Sequence, residues 1–414
     1  MKNKNSVKKI TIVFENLEYG GMTTFIENLI NSKSFKNLDI VLITNKTNKG
    51  IFSLKNNINK KRFNLITYST FNAPNKSFVH ASFFFRIAKI FSFTLRPVLF
   101  LISVFQFYLI LKKNRSDIIL AACGGYGNFR SDSASLISAK ILNIPQRILT
   151  IHHSYSKTRF WSFFINFADK FISRCATSII FGSKAVKLNI KKNTKLLENI
   201  KHSEVIHHGV LPKKIKIKNN LNKIFKTNSK GILKIGILSR IESEKGHYDL
   251  IDVFHKLPFD LKKKMKVFFI GPVKKEELNK VQGKLKEYNL EKYFKITGFI
   301  KSNSLEIFQQ LDLVLSLTRT FEGFGLSIAE ALIAKKPVLV TRVGAVTEFL
   351  NNENSTLICP NNQKEILYSL KDFVKNKKKW DLKAINGYKH IMKNFTAEVT
   401  AKKYFNHINL KMKQ

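Results

Sequence analysis

The chain has 414 residues, enough for two domains of about 200 residues each, and 44% of them are hydrophobic, which excludes disorder as its default state. Basic residues number 72 against 28 acidic ones, a formal net charge of +44, yet only 11 of the 72 are arginine. Scattered lysine among abundant Asn, Ile and Phe reads partly as the codon bias of an AT-rich genome; a nucleic-acid binder would gather arginine into a patch, so no nucleic acid is expected and an anionic membrane surface or lipid carrier is favoured.

The basic start MKNKNSVKK leads into about five apolar residues before the sequence turns acidic and Gly-rich, too short a core for an export signal. Lys9–Phe14 reads as a strand, Gly20-Gly21 as a turn, and TTFIENLI, with Phe25, Ile26, Leu29 and Ile30 at helical spacing, as a helix. This order opens a doubly wound α/β domain, although an ordinary tight turn would use the same glycines. Strands are expected at Asp39–Thr44 and Phe63–Ser69. Phe78–Leu111 is dominated by Phe, Ile and Leu, but Arg86, Lys89, Arg96 and Pro97 divide it, and its longest uncharged run, Pro97–Leu111, falls short of the ~20 residues a membrane-crossing helix needs. It reads as two helices, at residues 80–95 and 97–112. The first carries Phe83-Phe84-Phe85 beside cations and suits either a membrane surface or a buried core.

Asp117–Ala122 is the next strand and runs into CGGYGNF, a Gly-rich turn at a strand's C-terminal end, where open α/β sheets bind ligands. Arg130 and Asp132 follow as candidates for touching an acceptor. Ile148–Ile151 ends in His152-His153; neighbours on a strand point to opposite faces, so the two cannot readily share a metal ion. A helix at Trp161–Phe171, a strand at Ser178–Gly182, a helix capped by Ser183 and a strand over Val205–Val210 complete a first domain of residues 1–211. Residues 212–232, rich in Lys and Asn with little periodicity, read as a linker.

The second domain, residues 233–390, starts with the strand Leu233–Leu238. Arg240 and Lys245 lie in the loop that follows, so a guanidinium and an ammonium can converge on one diphosphate, though a solvated loop could carry the same charges. Strands at Lys266–Gly271 and Phe294–Thr297 and helices at Glu276–Tyr288 and Ser304–Leu311 lead to the apolar run Leu311–Leu317. FEGFGLSIAEALIAKKP follows at residues 321–337, with Gly323-Phe324-Gly325 as a turn and a helix from Leu326 to Ala334. A new helix start has unpaired N–H groups and a positive dipole end, which suit phosphate. With a diphosphate on the turn, Glu330 lies where a ribose offers hydroxyls and Glu322 faces the group on the far phosphate, the layout for a nucleotide sugar. Pro337–Thr341 is a strand, Gly344-Ala345 a turn, Glu348 a helix start, and helical character runs from Lys364 to the end with a break near Asn394. Cys123, Cys175 and Cys359 are far apart, which fits a reducing compartment.

Carboxylate, G-F-G and a second carboxylate at the eighth position resemble the E-x7-E signature of glycosyltransferase family 4, retaining enzymes of the GT-B fold, in which two Rossmann-like doubly wound domains face a central cleft. The resemblance implies that Glu322 contacts the donor sugar, Glu330 the ribose, and the backbone of Gly323, Phe324, Gly325 and Leu326 the diphosphate. It implies that Gly20 and Gly21 close over the diphosphate or admit the acceptor, and that Gly298 and Phe299 hold the nucleobase. Thr150-Ile151-His152 matches the family's T-x-H and makes His152 a candidate at the reacting sugar; Arg240 and Lys245 match its diphosphate clamp. His208 replaces the usual Asn of the cleft, Ser239 and Ala345 replace glycines, and Lys335 stands where glycine commonly ends a helix. The last helix, in residues 391–414, would cross back to the first domain.

The implied reaction moves a sugar, with retention, from a UDP-sugar to a hydroxyl of a glycan or lipid-linked acceptor in bacterial surface polysaccharide synthesis. It needs no metal or cofactor, and the enzyme would be cytoplasmic or peripheral on the inner face of the membrane. A sugar-nucleotide epimerase or glycosyl phosphorylase would fit the same architecture, and a non-catalytic basic membrane or nucleic-acid binding protein is the alternative from another class.

Overall fold

The computed structural model describes residues 9–17, 20–70, 95–127, 130–155, 162–212, 219–227, 229 and 231–410. The helix expected at residues 80–95, with Phe83-Phe84-Phe85, falls outside them but for its last residue. The chain divides into two compact units, Met1–His207 with Ala397–Gln414, and His208–Thr396.

Among the described residues the first unit holds seven strands: β1 Lys9–Phe14, β2 Asp39–Asn45, β3 Phe63–Tyr68, β4 Ile118–Cys123, β5 Gln146–Ile151, β6 Ser178–Phe181 and β7 Ser203–Val205. They pair in the order β3-β2-β1-β4-β5-β6-β7, each neighbour parallel. Parallel sheets are covered on both faces, so their strands read as unbroken apolar runs; every residue of β4 is buried. Its helices are α1 Gly21–Asn31, α2 Ile51–Asn57, α3 Arg96–Lys113, α4 Ser131–Ile141, α5 Ser162–Cys175 and α6 Lys184–Asn193. Ser183 caps α6 through its hydroxyl, which accepts from the Val186 N–H at 3.1 Å. The expected strand over Val205–Val210 stops at Val205, and Val210 makes an isolated bridge to Thr396 inside the second unit.

The second unit holds β8 Leu233–Leu238, β9 Met265–Ile270, β10 Phe294–Gly298, β11 Leu313–Ser316, β12 Val338–Thr341 and β13 Thr356–Ile358, in the parallel order β10-β9-β8-β11-β12-β13. Its helices are α7 Asn219–Ile224, α8 His247–Lys256, α9 Phe259–Lys263, α10 Lys275–Glu287, α11 Ser304–Gln309, α12 Leu326–Ile333, α13 Val346–Phe349, α14 Gln363–Lys375 and α15 Lys377–Asn394. Helix α7 lies inside the stretch read as a linker. Leu221 and Phe225, four residues apart, give it an apolar face that is fully buried, with Phe225 against Phe268 at 4.9 Å between ring centroids. The C-terminal helical stretch breaks at Asn376 as well as near Asn394.

The last helix, α16 Ala397–Leu410, belongs to the first unit. Tyr404 and Ile408 are fully buried in the core that includes Phe25 and Ile26 of α1. At its start the Glu398 carboxylate accepts from the N–H groups of Lys33 at 2.7 Å and Ser34 at 3.1 Å and from the Ser34 hydroxyl at 2.7 Å.

Candidate active site

Strands β8 and β11 are parallel neighbours, so the loops that leave their C-terminal ends emerge at one edge of the second sheet. Lys245, in the loop after β8, donates from Nζ to Glu322 Oε2 at 3.0 Å and to Thr318 Oγ1 at 3.3 Å. The Thr318 hydroxyl donates to the same Glu322 oxygen at 3.2 Å. The Lys245 and Glu322 side chains are 20% and 19% exposed, sheltered enough for their charges to be weakly screened and open enough to change partners. Both residues line a small cavity together with Ser239, Ser316, Thr318 and Ser327.

Backbone contacts hold these loops together. The Glu244 carbonyl accepts from the Arg319 N–H at 2.9 Å, and its carboxylate accepts from the Thr320 N–H at 3.0 Å and from the Thr320 hydroxyl. A third loop, after β12, contributes the Ala345 N–H, which donates to the Glu322 carbonyl at 2.9 Å. Gly344 makes that approach possible: its φ of +56° is left-handed, and a Cβ there would lie 2.0 Å from the Glu322 carbonyl oxygen. His247, the first residue of α8, is fully buried edge-on to Phe269 and bonds through Nδ1 to the Glu242 carbonyl at 3.1 Å. Burial pushes its pKa down to about 4, so the ring is neutral near pH 7 and Nδ1–H is the donor.

Helix α12 begins beside this pair. Gly325, at φ +93°, is its N-cap; no side chain caps it and no carboxylate sits in its first turn, which leaves its positive end suited to an anion. Phe324 stacks on Phe349 at 4.6 Å between centroids and tilts toward His208 at 5.8 Å, and it and Leu326 pack in the core. Phe324 is buried, so any ligand contact it makes is through backbone. Glu330 is half-buried in the second turn of α12. The structure does not bring Arg240 to the Lys245 and Glu322 pair: its guanidinium is taken by Glu242, two residues along, at 3.2 Å, and its side chain is 63% exposed. Gly298 ends β10 at φ +68°, and Phe299 beyond it is exposed.

In the first unit, His152 follows β5 directly. Its Nε2 is hydrogen-bonded with the Thr150 hydroxyl, and its ring lies 4.4 Å from that of Phe25 on α1. Gly20 is extended, no side chain caps α1, and Gly21 is its first residue; space around Gly20 is open. Strands β1 and β4 leave in opposite topological directions, the switch point at which doubly wound sheets open a crevice. Glu15, Arg130 and Asp132 gather at that edge. The Ser131 hydroxyl bonds the Glu15 carboxylate, and Arg130 Nη1 donates to the Gly125 carbonyl at 3.2 Å. Burial pushes the Asp132 carboxyl upward, opposed by the nearby Arg130 charge. No group of three or more His, Cys, Asp or Glu gathers as a metal site among the described residues.

Thr318 and Glu244 are site residues that sequence reasoning missed. A hydroxyl four residues before a carboxylate in an irregular loop has no periodicity to mark it, and the Glu244 clasp depends on a partner 76 residues away.

Residues 219–390 match the family described as Glycosyl transferases group 1. An uncharacterized glycosyltransferase of Methanocaldococcus jannaschii is 23% identical over 316 residues, covering 74% of this chain and 79% of that one. A glycosyltransferase of Rickettsia africae superimposes with a TM-score of 0.75 at 19% identity, covering 99% of this chain and 100% of that one. Anabaena HepE, solved in complex with UDP and glucose, does so with a TM-score of 0.73 at 17% identity, covering 97% and 99%. Two parallel sheets of this topology and full-length likeness to these structures give the chain the GT-B fold, and its second unit carries the group 1 glycosyltransferase domain.

Proposed function

We propose that the second unit binds a UDP-sugar and that the enzyme transfers the sugar, with retention at the anomeric carbon, to a hydroxyl of a glycan or lipid-linked acceptor held by the first unit, in bacterial surface polysaccharide synthesis. The observation that carries the donor reading is the Lys245 and Glu322 pair beside the uncapped start of α12. A diphosphate placed there exchanges partners with the pair. Lys245 turns from Glu322 to the phosphates, and the freed carboxylate accepts from a sugar hydroxyl. As the bond from the anomeric carbon to the phosphate oxygen breaks, its electron pair leaves on the phosphate, the acceptor oxygen bonds the same face of that carbon and gives its proton to the departing phosphate, and the ammonium and the helix N-terminus take up the developing charge. Glu330 accepts from the ribose and the turn at Gly298 and Phe299 holds the uracil. His152 and the cluster of Glu15, Arg130 and Asp132 serve the acceptor side. Anabaena HepE, bound to UDP and to UDP-glucose in its structures, supports UDP as the nucleotide.

The test is to incubate the purified protein with a panel of UDP-sugars and with lipid-linked or free glycan acceptors, and to read products by mass spectrometry and anomeric configuration by NMR. Acceptor-dependent release of UDP with an unchanged anomer is expected. Sugar interconversion without an acceptor, or an inverted product, would overturn the proposal.

A further inference from the structure

Helix α3 has the sequence RPVLFLISVFQFYLILKK, apolar around almost its whole circumference, and such helices are ordinarily enclosed. Here the fold encloses one side only. Phe107 and Leu111 are fully buried, Phe107 against Tyr68 at 4.8 Å between ring centroids, and the Val104 carbonyl accepts from Ser138 of α4 at 2.7 Å. The opposite side carries Val98, Leu101, Ile102, Phe105 and Leu109, spaced as one helical face, and all five are exposed, Leu101 at 66% and Phe105 at 61%. At 1.5 Å per residue the stripe runs about 16 Å. Helix α3 packs on α4 and α4 on α5, and α5 adds exposed Phe167 and Phe171, one turn apart.

The charge on these three helices has one sign. Their only carboxylates, Asp132 and Asp169, are 3% and 0% exposed. Lys112, Lys113, Lys140, Lys170 and Arg174 are exposed, with Lys170 paired to Glu198 outside the three helices. An apolar stripe on helices whose own exposed charges are all cationic fits a surface that is anionic outside and hydrocarbon inside. A second copy of the chain fits poorly, because a two-fold contact would set these cations against themselves. Crossing is not the mode: among the described residues no helix is long and apolar enough to span a bilayer.

We propose that this face seats the protein on an anionic lipid bilayer, with α3 lying along the interface, its stripe at the acyl boundary and the lysines at headgroup level. The seat is independent of which sugar is transferred, and its test needs no activity.

Flotation of the full-length protein with vesicles of phosphatidylglycerol and phosphatidylcholine is expected to carry it up, less at high salt, and pure phosphatidylcholine is expected to carry far less. The double substitution Leu101→Glu, Phe105→Glu is expected to cut flotation at least about tenfold at unchanged melting temperature, since both side chains are already exposed. Phe105→Trp gives a second reading, with a blue shift of emission on adding the anionic vesicles. The proposal is overturned by a double variant that floats like the parent. It is equally overturned by an introduced indole whose emission is already blue-shifted and unresponsive to lipid, as when the chain's own residues cover the stripe, or by a parent dimer in lipid-free solution that the double substitution dissociates.

Discussion

The two units place their charged groups differently. In the second, Lys245 and Glu322 meet at a half-open loop edge, each with a partner it can exchange for a ligand. In the first, Asp132 is enclosed, Arg130 is held by a backbone carbonyl, and Glu15 is tied to Ser131. An ion pair that a substrate can replace suits a group that must be gripped and released; an enclosed cluster suits a surface whose shape and charge stay fixed. The donor side should thus be sensitive to single charges, and the acceptor side to substitutions that alter its packing.

The largest effect expected from that contrast is on turnover. Lys245→Ala or Glu322→Ala should lower it by about 10²–10³-fold, the usual cost of removing one preorganised charge-stabilising group, read in a coupled assay of UDP release. Rates within threefold of the parent would break the contrast. Next is acid sensitivity centred on His247. Its folded pKa of about 4 lies below the ordinary 6.5, so the unfolded state binds more protons between those values. The stabilisation is complete above pH 6.5 and is lost as pH falls toward 4, by about 3 kcal/mol at most. Urea titrations across this range should show a shallower decline for His247→Gln than for the parent; equal slopes would remove His247 from the loop's support.

Gly344→Ala should cost about 2 kcal/mol, through strain at a left-handed position and collision with the Glu322 carbonyl, and should weaken UDP binding in the same denaturation and titration series. Full stability in that variant would show that the loop after β12 does not set the carboxylate. Arg240→Ala, at an exposed guanidinium paired only locally, should weaken UDP binding by less than about tenfold, well below the effect of Lys245→Ala. A loss equal to that of Lys245 would mean that Arg240 leaves Glu242 to join the ligand. The smallest effect sharpens the comparison from the other side: Asp132→Asn should leave UDP affinity within about twofold, because the change lies outside the unit proposed to bind the donor.

Much of the candidate site in the second unit was legible because it is local. Glu322, the glycines, Leu326 and Glu330 lie within one short stretch, and a strand, turn and helix can be read from apolar spacing and glycine placement. The contact of Lys245 with Glu322 was not legible, since 77 residues separate them. The ion pair of Arg240 with Glu242, two residues along, carries no periodicity that would mark it in the sequence. The stretch read as a linker concealed α7, whose apolar face rests on Leu221, Ile224 and Phe225 among lysines and asparagines. Strand β13 has three residues at a sheet edge, too few for a pattern. The Glu15 and Ser131 contact joins residues 116 apart, which only the strand order brings together.

The central claim is that Lys245 exchanges Glu322 for the diphosphate of the donor. Calorimetric titration of UDP into the parent and into Lys245→Ala tests it most directly. The expected result is binding by the parent and an affinity at least about tenfold weaker in the variant, the usual loss for a charge-assisted contact. Equal affinities in the two proteins, with both fully folded, would contradict it.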